Sequence, residues 1–278
     1  MRMFLLIATL MAAATQAAAT TLDRVKKSGQ FTIAYRADAK PYSYRTEDGK
    51  PAGYVVELCR EVADAVRKAV GAPLKVSYIV VPGDQRFEAV RDGRADILCD
   101  PSSVTLERRK LVDFSIPTFL DGASVMSRDA APVKRFEDLR GKRVGVLAGT
   151  TTERVLRSSL SALHIKAEIV TVRDHRAGVD LLTSDKIDAY FGDRAILIAF
   201  LAQEPLPGFQ VAEQYFSIET YALALPHNDS AFRLLVDQTL ARLYRTGKIR
   251  SVLTKTLGRL KQDQLLDALF VIHALPEK

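Results

Sequence analysis

The sequence has no tryptophan, and its 278 residues include only two cysteines, 15 glycines and 11 prolines. Two cysteines cannot form a disulfide scaffold or an unaided four-cysteine zinc site. So little glycine and proline excludes a collagenous or low-complexity chain. Charge of one sign does not dominate: 40 Lys and Arg stand against 33 Asp and Glu. With 47% hydrophobic residues the chain is too apolar for disorder. No Gly-x-Ser-x-Gly, His-Glu-x-x-His or phosphate-loop motif is present. His164, His175, His227 and His273 form no close metal-ligand pair in sequence. An enzyme is disfavoured on these grounds, and no metal or cofactor is expected. The length suits one large domain or two ordinary ones.

What is present begins with Met1-Arg2-Met3, an apolar stretch from Phe4 to Ala14, and the small residues Ala17-Ala18-Ala19. One cation, a short apolar run and a small-x-small end make a secretory signal peptide, residues 1–19, cleaved after Ala19. The alternative is an N-terminal anchor, but the run is shorter than the ~20 residues a spanning helix needs. The mature protein is expected to be exported to an oxidising compartment, the periplasm. The net charge of +7 then reads as a solvated surface or an attraction for small anions. Nucleic acid is not an expected partner.

Beyond the signal, short β runs alternate with helical patterns. Phe31–Arg36 reads as a strand. Tyr42–Tyr44 and Gly53-Tyr54 flank the turn Glu47-Asp48-Gly49 as a hairpin. Leu58, Cys59, Val62, Ala63, Val66 and Val70 recur at three and four, an amphipathic helix over 54–70 closed by Gly71. Further strands are expected over 74–81, 95–99, 112–114, 143–147, 167–172, 187–191 and 220–225. Helices are expected over 84–90, 105–110, 152–160, 175–183, from 193 onward, and over 231–244, 249–257 and 262–271. This alternation predicts an α/β fold with mostly parallel sheets. The βα series restarts near residue 136 with no Pro/Gly/Ser-rich linker before it. Two lobes joined by ordered strands are therefore expected, as in a hinged clamshell.

Cys59 and Cys99 sit beside core elements. They read either as two buried thiols or, given an even count in an oxidising space, as a disulfide.

The strongest local signal is Cys99-Asp100-Pro101-Ser102-Ser103-Val104-Thr105-Leu106-Glu107-Arg108, continuing to Val112-Asp113-Phe114-Ser115. Hydroxyls and an arginine follow a buried strand, where ligands of α/β sheets bind. A guanidinium can hold a carboxylate by two parallel hydrogen bonds. This segment resembles the extracellular solute-binding proteins of family 3, periplasmic receptors for polar amino acids. The resemblance extends to Phe31–Tyr44, Gly53-Tyr54, Leu139–Val144, Gly149-Thr150-Thr151, Arg173-Asp174-His175, Gly192-Asp193 and the helix from Ala231. It covers essentially the whole mature chain.

Within the family, the chain is most similar to the glutamate/aspartate-binding branch, through Tyr35-Arg36, Gln85-Arg86, Arg108, His175 and Asp193. The resemblance implies a type-II periplasmic-binding-protein fold of two α/β lobes joined by two hinge strands. Lobe 1 would take 22–123 plus 224–278 and lobe 2 127–220, with hinges near Ser124-Val125-Met126 and Tyr221-Ala222-Leu223. It further implies that Arg108 takes the ligand α-carboxylate, with Ser103, Thr150, Thr151 and the start of the following helix as donors. Asp193 would take the ammonium, and Arg36, Arg86 and His175 the side-chain carboxylate. Three cations and one anion would suit a ligand of net charge −1. Gly83 and Pro101 stand where the branch usually has serine, which leaves two fewer hydroxyl donors. The implied protein is a monomeric, periplasmic component of an ABC importer for an acidic amino acid, partnered by an inner-membrane permease. The rival reading is an exported enzyme on the same fold, similar to cyclohexadienyl dehydratase, which would need a well-placed general acid.

Overall fold

A computed structural model describes residues 19–204, 206–258 and 264–278. The expected signal peptide therefore lies outside the described residues except for Ala19. The chain opens with α1 (Thr21–Ser28) and β1 (Gln30–Tyr35), then the small strands β2 (Asp38–Ala39), β3 (Ser43–Arg45) and β4 (Pro51–Ala52). Next come α2 (Tyr54–Val70), β5 (Lys75–Val80), α3 (Arg86–Arg91), β6 (Ile97–Cys99), a 3-10 turn at Arg108–Lys110 and β7 (Asp113–Phe114). After β8 (Phe119–Asp121) and β9 (Ala123–Arg128) follow β10 (Arg143–Leu147), α4 (Thr151–Ala162), β11 (Glu168–Val172) and α5 (His175–Thr183). The chain continues through β12 (Ala189–Asp193), α6 (Arg194–Gln203), β13 (Phe209–Val211), β14 (Glu219–Tyr221) and β15 (Ala224–Leu225). It closes with α7 (Ser230–Arg245), α8 (Lys248–Leu257) and α9 (Gln264–Ile272).

Two five-stranded sheets result, in the orders β5-β1-β6-β15-β7 and β11-β10-β12-β9-β13. In each, the first three strands run parallel and the remaining pairings are antiparallel. The sheets are therefore mixed: β15 returns to the first sheet after the second lobe, and β9 brings the chain into the second. The fold is the two-lobed α/β type expected. No helix of the described residues is long and apolar enough to cross a membrane.

The first lobe is built around α2. Its apolar face buries Leu58, Cys59, Val62, Val66 and Val70 against the sheet, and the helix stops at Gly71 in the left-handed region (φ 66°). Cys59 on α2 and Cys99 at the end of β6 form a disulfide with Cα atoms 6.3 Å apart. The bond ties the helix to the strand end from which the Asp100–Ser103 loop leaves.

The paired crossing segments are β8 and β14, which form their own two-stranded sheet with Asp121 opposite Glu219. Ser124-Val125-Met126, expected as a hinge, lies instead inside β9 of the second sheet, paired with Gly192, Phe191 and Tyr190. The break falls at Gly122, where a Cβ would sit 1.8 Å from the Ser217 carbonyl oxygen. Only glycine allows the two crossing chains to approach so closely.

Candidate functional site

The loops at the carboxyl ends of β1 and β6 in one lobe face those after β10, β11 and β12 in the other. Between them lies a cavity of 20 Å³, room for about one water. Arg36, Arg86, Ser103, Arg108, Thr150, Thr151, His175 and Asp193 all line it, together with Asp100 and Pro101. A larger ligand needs the lobes to part. Contacts that bridge them include Ser103 Oγ to Thr151 Oγ1 at 3.0 Å and the His175 backbone N–H donating to Asp38 Oδ2 at 3.3 Å.

Arg108 begins the 3-10 turn and donates from Nη1 to the Ser103 carbonyl at 2.8 Å. Burial, and then the neighbouring Arg86 charge, lower its pKa to about 10, so it is charged at neutral pH. Phe87 lies under both guanidiniums, its ring centre 4.6 Å from Arg86 Cζ and 5.0 Å from Arg108 Cζ. An aromatic face supports buried cations without neutralising them.

Arg36 and Arg86 carry partners that sequence reasoning did not assign. Arg36 donates from Nε to Asp38 Oδ1 and from Nη2 to Asp38 Oδ2, both at 2.8 Å. Burial raises the Asp38 carboxyl, but Arg36 and His175 outweigh it and hold the group below the usual carboxylate range. Arg86 Nε lies 3.0 Å from Asp100 Oδ2, and its Nη1 donates to the Gly83 carbonyl. Burial lowers the Arg86 pKa and Asp100 partly restores it. The expected balance of three cations and one anion is thus corrected by two further carboxylates. Both were visible in the sequence, Asp38 two residues after Arg36 and Asp100 directly after the β6 cysteine. Gly83 also acquires a reason: a Cβ there would lie 2.7 Å from Arg36 Nη1, so the guanidinium fills the space of the missing side chain.

On the facing lobe, Thr150 caps α4 by accepting from the Glu153 N–H at 3.1 Å, and its hydroxyl donates to the Leu147 carbonyl at 2.8 Å. Its side-chain donor is therefore engaged within the lobe. Thr151 Oγ1 lies 2.5 Å from Glu219 Oε2 as well as against Ser103. His175 opens α5 after the Asp174 cap, with Nδ1 3.0 Å from Tyr190 Oη. Burial and then Arg36 push its pKa down to about 4, so it is neutral at physiological pH. Tyr190 can reach it because Gly178 leaves room: a Cβ there would sit 2.1 Å from the Tyr190 ring.

Asp193 is the residue before α6 and accepts from Thr152 Oγ1 at 3.0 Å. Burial, then the Asp121 and Glu219 charges, raise its pKa to about 7. Asp121, on the crossing strand, is itself raised to about 6 by burial, even though it accepts from Tyr42 Oη at 2.9 Å. A cationic group brought against Asp193 would relieve this repulsion. The arrangement therefore suits a zwitterion, with its carboxylate at Arg108 and its ammonium at Asp193.

A clamshell with a polar cavity at its strand ends defines a ligand-capturing protein. The chain belongs to the bacterial extracellular solute-binding proteins, family 3, which it matches over residues 31–259. It is 34% identical over 238 residues to the L-glutamate/L-aspartate-binding protein of Pseudomonas aeruginosa, covering 84% of this chain and 79% of that protein. The cyclohexadienyl dehydratase of Pseudomonas aeruginosa is 32% identical over 253 residues, 88% of each chain. Among solved structures, an ancestral amino-acid-binding protein described as a precursor of cyclohexadienyl dehydratase superposes with a TM-score of 0.75 at 26% identity. That match covers 85% of this chain and 99% of the ancestral one.

Proposed function

We propose that the protein is the solute-binding component of an amino-acid ABC importer. It is exported to the periplasm by removal of residues 1–19 and binds an acidic amino acid of the glutamate/aspartate kind. The ligand lies between the lobe of the β5-β1-β6-β15-β7 sheet and the lobe of the β11-β10-β12-β9-β13 sheet, and its capture holds the lobes closed. The closed shape is what an inner-membrane permease recognises, and the protein acts as a monomer without a cofactor. The observation that carries this reading is the set of three buried arginines facing Asp193 across one cavity. Arg108 takes the α-carboxylate, with Ser103 and Thr151 beside it. Asp193 takes the ammonium. Arg36, Arg86 and neutral His175 face the ligand side chain. Desolvating both ends of a zwitterion is tolerable only when each charge meets an opposite one.

A thermal-shift screen of residues 20–278 against the amino acids tests it. Glutamate or aspartate at 100 times its dissociation constant adds about 2.7 kcal/mol, several degrees of melting temperature for a chain of this size. A shift with basic or aliphatic amino acids, and none with glutamate or aspartate, contradicts the proposal. One observation favours a second reading: Asp193, titrating at about 7, is a proton donor of the kind a cyclohexadienyl dehydratase would need. Turnover of prephenate by the purified protein would establish that reading, whereas binding without turnover supports transport.

A further inference from the structure

The charged groups of the cavity divide into those already satisfied and those left open. Arg36 is held by Asp38 through two hydrogen bonds. Arg86 is paired with Asp100, the side chains being 5% and 1% exposed, and Asp100 also accepts from the Ser102 hydroxyl. Arg108 differs. Its guanidinium donates to a carbonyl, and no carboxylate lies within ion-pair distance of it among the described residues. Asp193 likewise has hydroxyl partners and no cation in ion-pair contact among the described residues. The open charges are thus one cation and one anion, the complement of the α-carboxylate and α-ammonium shared by every amino acid. The other charged groups of the lining are Arg86, closed on Asp100, and Arg36, whose balancing partner Asp38 stands behind it outside the lining.

A distal carboxylate placed there meets guanidiniums whose charge is already balanced, with two fixed carboxylates beside them. A distal amide meets no such repulsion. Its carbonyl can accept from Arg36 or Arg86, and its NH2 can donate to Asp100, while Asp38 acts only through its charge behind Arg36. We infer that Asp38 and Asp100 are specificity-determining residues that make the site accept glutamine and asparagine alongside glutamate and aspartate. This rests on the amino-acid-binding reading above and widens its ligand class.

Calorimetric titration of the whole mature protein tests the inference in two steps. In the wild type, the dissociation constants of glutamate and glutamine, or of aspartate and asparagine, are expected to lie within about tenfold of each other. Asp100→Asn and Asp38→Asn each remove one negative charge at near-constant shape. Coulomb repulsion at an effective dielectric near 20 and about 6–10 Å makes such a charge worth about ten- to a hundredfold against a ligand carboxylate. Each variant is therefore expected to tighten the acid by at least tenfold while leaving the amide unchanged or weaker. Asp38 is the more exposed of the two carboxylates, so its variant reports even if Asp100→Asn unfolds. The inference is overturned by a wild-type preference for the acid of a hundredfold or more. It is also overturned if acid and amide respond to the substitutions by the same factor. Either result leaves acidic-ligand binding standing. Failure of all four amino acids to bind overturns both the inference and the reading beneath it.

Discussion

Ligand affinity should fall in mild acid, because the ammonium needs an ionised Asp193. In the unliganded protein this carboxyl titrates at about 7, raised by burial and by the Asp121 and Glu219 charges. At pH 5 it is about 99% protonated, and binding must expel the proton. The affinity is therefore present above pH 7 and is lost by up to tenfold per unit below it. Between pH 7, where half the groups are already protonated, and pH 5 the loss reaches about fiftyfold, or about 2.3 kcal/mol at 1.36 kcal/mol per tenfold. Glutamate remains a net anion over this range, its side chain titrating near 4.3. Calorimetry in two buffers of different ionisation heat should show close to one proton released per ligand at pH 5 to 6 and almost none at pH 8. The same shift acts with the opposite sign on the unliganded fold. Asp193's contribution to folding is full below the ordinary carboxylate range and lost as pH rises through 7, so acid unfolding driven by this group would not mimic the effect. Asp193→Asn should abolish proton release and weaken binding at every pH. A dissociation constant flat from pH 5 to 8, with no proton release, refutes the reasoning.

Three further outcomes are expected. Arg108→Ala should weaken every amino-acid ligand by at least about a hundredfold, since it strands a buried α-carboxylate, whereas Arg36→Ala should weaken acidic ligands more than neutral ones. Titration of both variants with glutamate and with alanine checks the difference. Cys99→Ser should lower unfolding free energy by about 2–4 kcal/mol, as expected for opening a loop with a sequence separation of 40; denaturant unfolding with and without reductant would show it, and protein exported natively should carry no alkylatable thiol. Gly178→Ala should displace Tyr190, cost about 1–3 kcal/mol and weaken acidic ligands through His175, read by thermal melting and calorimetry together.

Much of the frame was legible because it rests on local pattern. The three-and-four spacing of Leu58, Val62 and Val66, ended by Gly71, specifies α2 whatever surrounds it. The Glu47-Asp48-Gly49 turn likewise specifies the β3–β4 hairpin. The residues that line the cavity were legible through family resemblance, since each follows a strand end. What was not legible depends on tertiary approach. Asp38 and Asp100 each stand within reach of more than one cation in sequence, and only rotamers and burial decide that they close on Arg36 and Arg86. Tyr190 reaches His175 only because Gly178, on a separate element, leaves space for its ring. The crossing point escaped for the same reason. The hinge was expected near Ser124-Val125-Met126, whereas the break at Gly122 is imposed by the Ser217 carbonyl, far away in sequence.

The central claim is that one cavity, with Arg108 and Asp193 at its poles, captures an acidic amino acid. Its most direct test is calorimetric titration of L-glutamate into residues 20–278 at pH 8, beside the same titration of Arg108→Ala. One ligand per chain in the wild type, and no measurable heat in a variant that still melts cooperatively, is the predicted result. Saturable glutamate binding that survives the loss of Arg108, or a folded wild type that binds neither glutamate nor aspartate, would contradict it.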